Sequence, residues 1–247
     1  MKEHLNRALR TLRRRGFKRT TAYKTEGEVE FWIGEIANYE DWYIGKLKYH
    51  YGHPSPQSHV RVTNVRDSAI LTWFETHQKP KYLADLKLDK NAFEGMKVLD
   101  IGAGPMPSGI VFEGCEIYSL DPLYAEYLTA GFPLHYYERS RFINAYSEDM
   151  PIENDFFDAV ISVNAIDHVD DFERTAKEVR RVLKPEGGIA MHVHYHRATR
   201  MEPQELSDAT FVRHFGWMDD LTKVASSVEK YGSQAPEGDE YALWRSF

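Results

Sequence analysis

Val98-Leu99-Asp100-Ile101-Gly102-Ala103-Gly104-Pro105 is a short apolar run, broken by one acid and closed by two glycines. Lys97 to Ile101 is predicted as a buried strand of a parallel sheet, with an acid near its end before the glycine turn. Glycines at the turn that follows let a ligand lie against bare backbone, and a helix beginning there would offer free N–H groups. The same residues also fit a glycine-capped turn with no ligand. A dinucleotide site would want a third glycine where this chain has Pro107, so close packing around a pyrophosphate is not indicated and a nicotinamide dehydrogenase is disfavoured.

Outward from this run, short apolar segments alternate with amphipathic ones, the pattern of strands joined by crossovers. Ile117 to Leu120, Phe142 to Tyr146, Phe157 to Val163 and Ile189 to Tyr195 are predicted strands. Phe172 to Leu183 reads as a helix that buries Phe172, Ala176, Val179 and Val182 and exposes Glu173, Lys177 and Arg180, ending at Lys184-Pro185-Glu186-Gly187-Gly188. About ten residues between the third and fourth strands are too few for a crossover helix, so a loop or single turn is expected there. A helix from Glu205 to about Phe215 is followed by two β-like runs, Leu221 to Val228 and Glu240 to Trp244, around a Gly/Pro turn at 232–238. These predict a terminal hairpin at a sheet edge.

Before Met96 the texture differs. Leu5, Ala8, Leu9 and Leu12 predict a short basic helix; Val29, Trp32, Ile33, Ile36, Tyr39 and Tyr43 share one side of a second; Ser68 to about Thr76 forms a third. Residues 1–90 are thus expected to be a helical extension or cap, and 91–247 the ligand-binding domain. The aromatic residues of the second helix, with Trp42, Tyr49 and Tyr51 beyond them, would pack as core or fold over the cleft.

The chain has 247 residues, 42% apolar and 28% charged, which is ordinary globular composition. One cysteine, Cys115, excludes an internal disulfide framework and a thiolate metal cluster. Its apolar runs are far shorter than the roughly 20 residues that span a bilayer, and the basic start lacks the apolar core of a signal peptide, so the cytoplasm is the expected location. Net charge is 31 minus 38, or −7. Residues 1–24 carry nine Lys/Arg against one acid, Glu3, so the remainder is −15. An acidic body with a basic arm argues against a uniformly nucleic-acid-binding surface and leaves room for an arm that touches an anionic partner.

Two further clusters carry chemistry. Asp121 follows the second strand, 21 residues after Asp100, where a carboxylate can accept from both hydroxyls of a ribose; followed by Pro122, it equally fits a helix N-cap. Tyr146-Ser147-Glu148-Asp149-Met150-Pro151 leaves the third strand. Its acids can accept from an adenine amine while Met150 covers the ring, or it can be a solvated acidic loop.

Taken together from Met96 to Tyr195, the Asp-x-Gly-x-Gly turn, Asp121, the 148–162 block and Glu178 to Gly188 resemble the Rossmann-like (class I) S-adenosylmethionine-dependent methyltransferases, especially their small-molecule branch. The resemblance implies a mostly parallel seven-stranded α/β sheet with an antiparallel C-terminal strand. It implies S-adenosylmethionine as cofactor. Asp100 and the turn Gly102, Ala103 and Gly104 would lie by its methionyl part, Asp121 and Pro122 by the ribose, Ser147, Glu148, Asp149 and Met150 by the adenine, and Asn164 by the sulfonium. Pro105 and Met106 depart from the family's small third residue, and Tyr146 stands where an aspartate is usual.

Methyl transfer from a sulfonium needs alignment in a dry pocket and no metal. If the acceptor is a hydroxyl, His168 is placed to take its proton, oriented by Asp167 or Asp170; the alternative is a helix-start histidine without proton transfer. His192, His194 and His196 alternate on the fifth strand, about 7 Å apart along one face, which disfavours coordination by neighbours without a bend. The expected acceptor is a small molecule or glycan-like compound methylated at O or N. The alternatives are an RNA methyltransferase using the basic arm, with salt-sensitive binding, and a non-catalytic cofactor-binding subunit.

Overall fold

The computed structural model describes residues 21–49, 65–225 and 240–247. The basic helix expected near Leu5 to Leu12 and the turn at 232–238 lie outside the described residues. Among the described residues three helices precede the sheet: α1 (Thr21–Tyr49), α2 (Val65–Trp73) and, after a single π turn at Phe74–Gln78, α3 (Lys79–Leu86). The sheet then begins with β1 (Lys97–Ile101), followed by β2 (Glu116–Leu120), α4 (Tyr124–Thr129), β3 (Ser140–Ile143), β4 (Phe157–Val163), α5 (Phe172–Val182), β5 (Leu183–Tyr195), α6 (Asp208–Phe215), β6 (Thr222–Ala225) and β7 (Glu240–Arg245).

Seven strands stand in the order β3-β2-β1-β4-β5-β7-β6. β1 to β5 pair parallel, and β7 runs antiparallel between β5 and β6. The expected Rossmann-like sheet with its antiparallel C-terminal strand is therefore present. Alternation along β1 distributes its residues between two cores. Val98 joins Ile36, Ile70, Phe74 and Leu86 of the α1–α3 side, whereas Leu99 and Ile101 join Phe172, Val179, Val182, Phe211 and Phe215 on the other. Because Asp100 shares the face of Val98, it is directed at the α1–α3 helices. Fully burying each such Val, Leu, Ile or Phe contributes about 1.5–3 kcal/mol, which makes the two apolar faces the main stabilising term.

α5 buries Phe172, Ala176, Val179 and Val182 as its spacing predicts, together with Thr175, and Asp171 caps it by accepting from Arg174 N at 3.0 Å. Four expectations are corrected. No α-helix follows the glycine turn; Ser108–Val111 is one 3₁₀ turn, since Pro105 and Pro107 remove N–H donors and bias the residues before them away from helix. β3 begins at Ser140 rather than Phe142, because β2 sets its register through Ile117 against Ser140, with the two buried hydroxyls of Ser119 and Ser140 bonded at 2.6 Å. β5 starts at Leu183, six residues early, running through the Pro/Gly segment beside a bulge in β4. On α1, Ile33 faces solvent; Val29, Trp32, Ile36 and Tyr39 form the packed side. As expected, the link from β3 to β4 carries no helix.

Candidate active site

Since β1, β2 and β4 run parallel and adjacent, the segments leaving their carboxyl ends meet at one edge of the sheet. After β1, Gly102 and Gly104 adopt φ of +70° and +64°. That conformation lets Gly102 N and Ala103 N both donate to Leu120 O, at 2.8 and 3.3 Å, and fastens the turn to the end of β2. A side chain at Gly102 is excluded, because its Cβ would stand 2.2 Å from Cβ of Ala165. After β2, Asp121 accepts from Gly104 N and from Leu123 N, each at 2.9 Å. It is not the helix N-cap, a position held by Leu123 with no side-chain cap, and each of its oxygens retains a lone pair. Burial pushes its carboxyl up to about 6 against these two bonds, so it is ionised at neutral pH.

These segments line a cavity of about 500 Å³, within the range of small-molecule sites. Gly102, Ala103, Gly104, Asp121, Pro122, Ser147, Glu148, Asn164 and His168 are all on its wall. Asp100, Asp149 and Met150 are not among its lining residues. Asp100 is fully buried and accepts from the hydroxyl of Tyr82 and from Gly109 N, the latter at 3.2 Å. Burial raises its carboxyl to about 7. Asp149 is exposed, and Met150 is buried under α5. Glu148 is partly spent on structure, accepting from Asp170 N and Asp171 N at 2.7 and 3.1 Å.

The remaining wall comes from α1–α3 and from β5 and β7. Glu28, Trp32, Trp73 and Tyr82 face the sheet edge, and His194 and Tyr241 close the far side. His168 Nδ1 is 2.6 Å from Glu28 Oε1. Burial opposes charge on this ring, but the Glu28 hydrogen bond and the charges of Asp167, Glu28 and Glu202 raise it to about 9. His168 is thus an imidazolium near neutrality. Of the two residues expected to orient it, Asp170 pairs instead with Lys24 at 2.9 Å, while Asp167 bonds His196 at 3.1 Å and stands 3.9 Å from His168 Nε2. His192 is fully buried, pushed down to about 4 by burial, and bonded through Nδ1 to Asn164 Oδ1 at 3.1 Å. Asn164, at φ +52°, also donates to the Tyr241 hydroxyl at 3.2 Å.

Residues 99–191 match the family model described as a methyltransferase domain. Over that region the chain is similar to methyltransferase domains. A sterol 24-C-methyltransferase of Gibberella zeae is 35% identical over 104 residues, which cover 38% of this chain and 26% of that one. A sterol methyltransferase-like protein of Botryococcus braunii is 30% identical over 108 residues, covering 41% and 28%. The chain thus matches only about a quarter of the length of these relatives. Among solved structures, a chain of the Haloferax volcanii complex of the Trm112 methyltransferase activator with a methyltransferase has a TM-score of 0.53 at 18% identity, covering 72% of this chain and 93% of that one. A methyltransferase of Thermotoga maritima scores 0.51 at 18% identity, covering 71% and 93%. At these identities the two share the fold.

Some features of the cavity and of the loop that borders it give no local sequence signal or an ambiguous one. Glu28 gives none, because a glutamate on an amphipathic helix ordinarily faces water. Tyr82 and Tyr241 lie outside the recognised motifs and reach the site only through packing. The Glu178 to Arg181 segment has a legible role once its contacts are known. Glu178 accepts from Met150 N at 2.8 Å, and Arg181 donates to Met150 O and Ile152 O at 2.9 and 2.6 Å, so the pair holds the 147–152 loop against α5. Among the described residues, no helix is long and apolar enough to cross a membrane.

Proposed function

We propose that this protein transfers a methyl group from S-adenosylmethionine to an oxygen or nitrogen of a small-molecule or glycan-like acceptor. The observation that carries the reading is the convergence, in one cavity, of a glycine turn that admits no Cβ and an ionised buried carboxylate, Asp121. The residues fit the cofactor. Gly102, Ala103 and Gly104 would bind its methionyl part through main chain, Asp121 its ribose hydroxyls, and Ser147 and Glu148 its adenine, with Asn164 near the sulfonium. When bound, S-adenosylmethionine supplies an electrophilic methyl on a sulfonium that loses its charge in the transfer.

The chain's own part is alignment, exclusion of water and management of one proton. Trp32 and Trp73, 6.4 Å apart between rings, wall the cavity from the helical side and support reading the chain up to residue 90 as a cap on the domain from 91 to 247. His168 is the proposed catalytic residue: with Nδ1 held by Glu28, its Nε2 takes the acceptor's proton when the ring is neutral. Activity should therefore rise with pH toward about 9, the value to which Glu28 and its neighbours lift the ring.

Calorimetry with S-adenosylmethionine, S-adenosylhomocysteine and NAD tests the proposal. The first two should bind and NAD should not. Asp121→Ala should weaken S-adenosylmethionine about a hundredfold, as expected for losing a charged hydrogen-bond acceptor of roughly 3 kcal/mol. Parent-like affinity in that variant would place the ribose elsewhere.

A further inference from the structure

We infer that Asp167, His194, His196 and Glu202 form a binding site for one divalent transition-metal ion at the edge of the cavity. One potential ligand atom from each of the four lies within 4.8 Å of all the others. Three of them, Asp167, His194 and Glu202, line the cavity, and His196 closes the set from behind. His194 lies near the end of β5 and His196 just past it, and their rings lean together, with centroids 4.5 Å apart. His196 is thus not on the fifth strand as expected, and the spacing of about 7 Å along a strand does not separate the two rings.

The hydrogen bonds of His196 carry the inference further. Its Nδ1 is 2.7 Å from Arg197 O, and a carbonyl only accepts, so Nδ1 carries a proton. Its Nε2 is 3.1 Å from Asp167 Oδ2. In a neutral ring that contact opposes two lone pairs, so a positive species, proton or metal, belongs between them. An imidazole that donates from one nitrogen to a backbone carbonyl has the orientation that metal-bound histidines adopt, with the other nitrogen turned to the ion. Asp167 is 1% exposed, and its second oxygen has no hydrogen-bond partner among the described residues. A carboxylate so buried needs a counter-charge.

Glu202 is held for the same task. Thr199 Oγ1 donates to its Oε2 at 2.8 Å, leaving Oε1 facing His194 Nδ1 at 4.0 Å. Bonds of about 2.0–2.2 Å to a tetrahedral centre would bring ligand atoms to about 3.4 Å from one another, so closing the set takes shifts of roughly an ångström. Two imidazoles with two carboxylates suit Zn²⁺, Co²⁺, Fe²⁺ or Mn²⁺ rather than the oxygen-preferring Ca²⁺ or Mg²⁺. His168 Nε2 faces the same acids, 3.8 Å from Glu202 and 3.9 Å from Asp167, and competes with the ion for them. Resting on the methyltransferase reading, the ion would stand on the acceptor side of the cavity, and the acceptor would be a compound with an oxygen able to bind it.

The test uses the full chain without a histidine tag, stripped with a chelator and titrated with Zn²⁺ and Co²⁺. One equivalent should bind, with visible Co²⁺ bands of a four-coordinate nitrogen and oxygen site. Glu202→Gln and His196→Ala should each weaken Zn²⁺ at least about tenfold. Absence of stoichiometric uptake at about 100 µM metal, or parent-like affinity in both variants, overturns the site. Should either variant fail to fold, X-ray absorption on the zinc-loaded parent decides: a shell with two imidazoles supports the site, and an all-oxygen shell rejects it. S-adenosylhomocysteine calorimetry on the stripped parent is scored separately, so a failed metal site and a failed cofactor site give different results.

Discussion

Glu28 and His168 are 140 positions apart in the chain, yet Oε1 of the first lies 2.6 Å from Nδ1 of the second. A helix that precedes the sheet thereby sets the protonation of the ring proposed to handle the acceptor's proton. Glu28→Gln should let the His168 pKa fall from about 9 back toward 6.5, read by NMR titration of the imidazole protons. Because the folded value is raised, the stabilisation is complete below pH 6.5 and disappears as pH rises through about 9. The gap between parent and variant should be about 2 kcal/mol in acid and shrink over that window. A gap that ignores pH would assign Glu28 a packing role alone.

Two glycines make opposite predictions. Gly102→Ala combines φ +70° with a Cβ 2.2 Å from Ala165, so it should cost about 2–4 kcal/mol in urea unfolding and abolish S-adenosylhomocysteine binding. Gly34, on the exposed side of α1, has nothing within 4 Å of the point where a Cβ would stand. Gly34→Ala should add about 0.5–1 kcal/mol, since the helix gains a better former. If both lower stability alike, the turn is not under the steric constraint described.

Arg181 and Lys177 share α5 but not its consequences. Arg181 spans Glu178, Ile152 O and Met150 O, and its loss frees the loop that carries Ser147 and Glu148. Arg181→Ala is expected to lower stability by about 2–3 kcal/mol and to raise the amide exchange rates of 147–152. Lys177 pairs with Glu173 on an open surface, and Lys177→Ala should change stability by no more than about 0.5 kcal/mol. Unchanged exchange in the arginine variant would mean that Arg181 does not hold the 147–152 loop.

Tyr82 and Asp100 predict a pH effect of the other sign. Burial raises the Asp100 carboxyl to about 7, while the hydrogen bonds from Tyr82 and Gly109 hold it down. A carboxyl with a raised folded value costs stability as pH climbs from its unfolded value of 3.8 through about 7, after which the cost is constant. Tyr82→Phe removes one of the two bonds, lifts Asp100 further and extends the falling limb. Urea midpoints should show the variant losing about 1–2 kcal/mol relative to the parent between about pH 6 and pH 8. An equal loss at every pH would mean that the hydroxyl acts through packing alone.

The buried strands are legible because each is a compact apolar run, and α5 because its apolar residues recur every three or four positions. β3 starts two residues before its apolar run, since its first paired position is a serine, bonded to Ser119, and a buried hydroxyl pair reads as loop. The helix expected after the glycine turn shrinks to one 3₁₀ turn because two prolines outweigh a general pattern. In the site, Asp121 and the glycines can be foreseen from local order alone. Glu28, Glu202 and the approach of the His194 and His196 rings depend on contacts between distant segments, which no short window of sequence encodes. Asp100 shows the same limit from the other side: its motif is legible, but strand alternation turns it toward Tyr82 rather than the cavity.

α1 is attached in two unlike ways. Its first turns are tethered by Lys24 to Asp170 and Glu28 to His168, whereas farther along Trp32, Ile36 and Tyr39 settle into the apolar side, with Tyr39 stacked 5.3 Å from Trp73. Added sulfate would screen the ionic tether and strengthen the apolar seat. The lip of the cleft nearest His168 would then loosen while its aromatic foundation stays put, so electrolyte becomes a one-sided lever on access to the hollow.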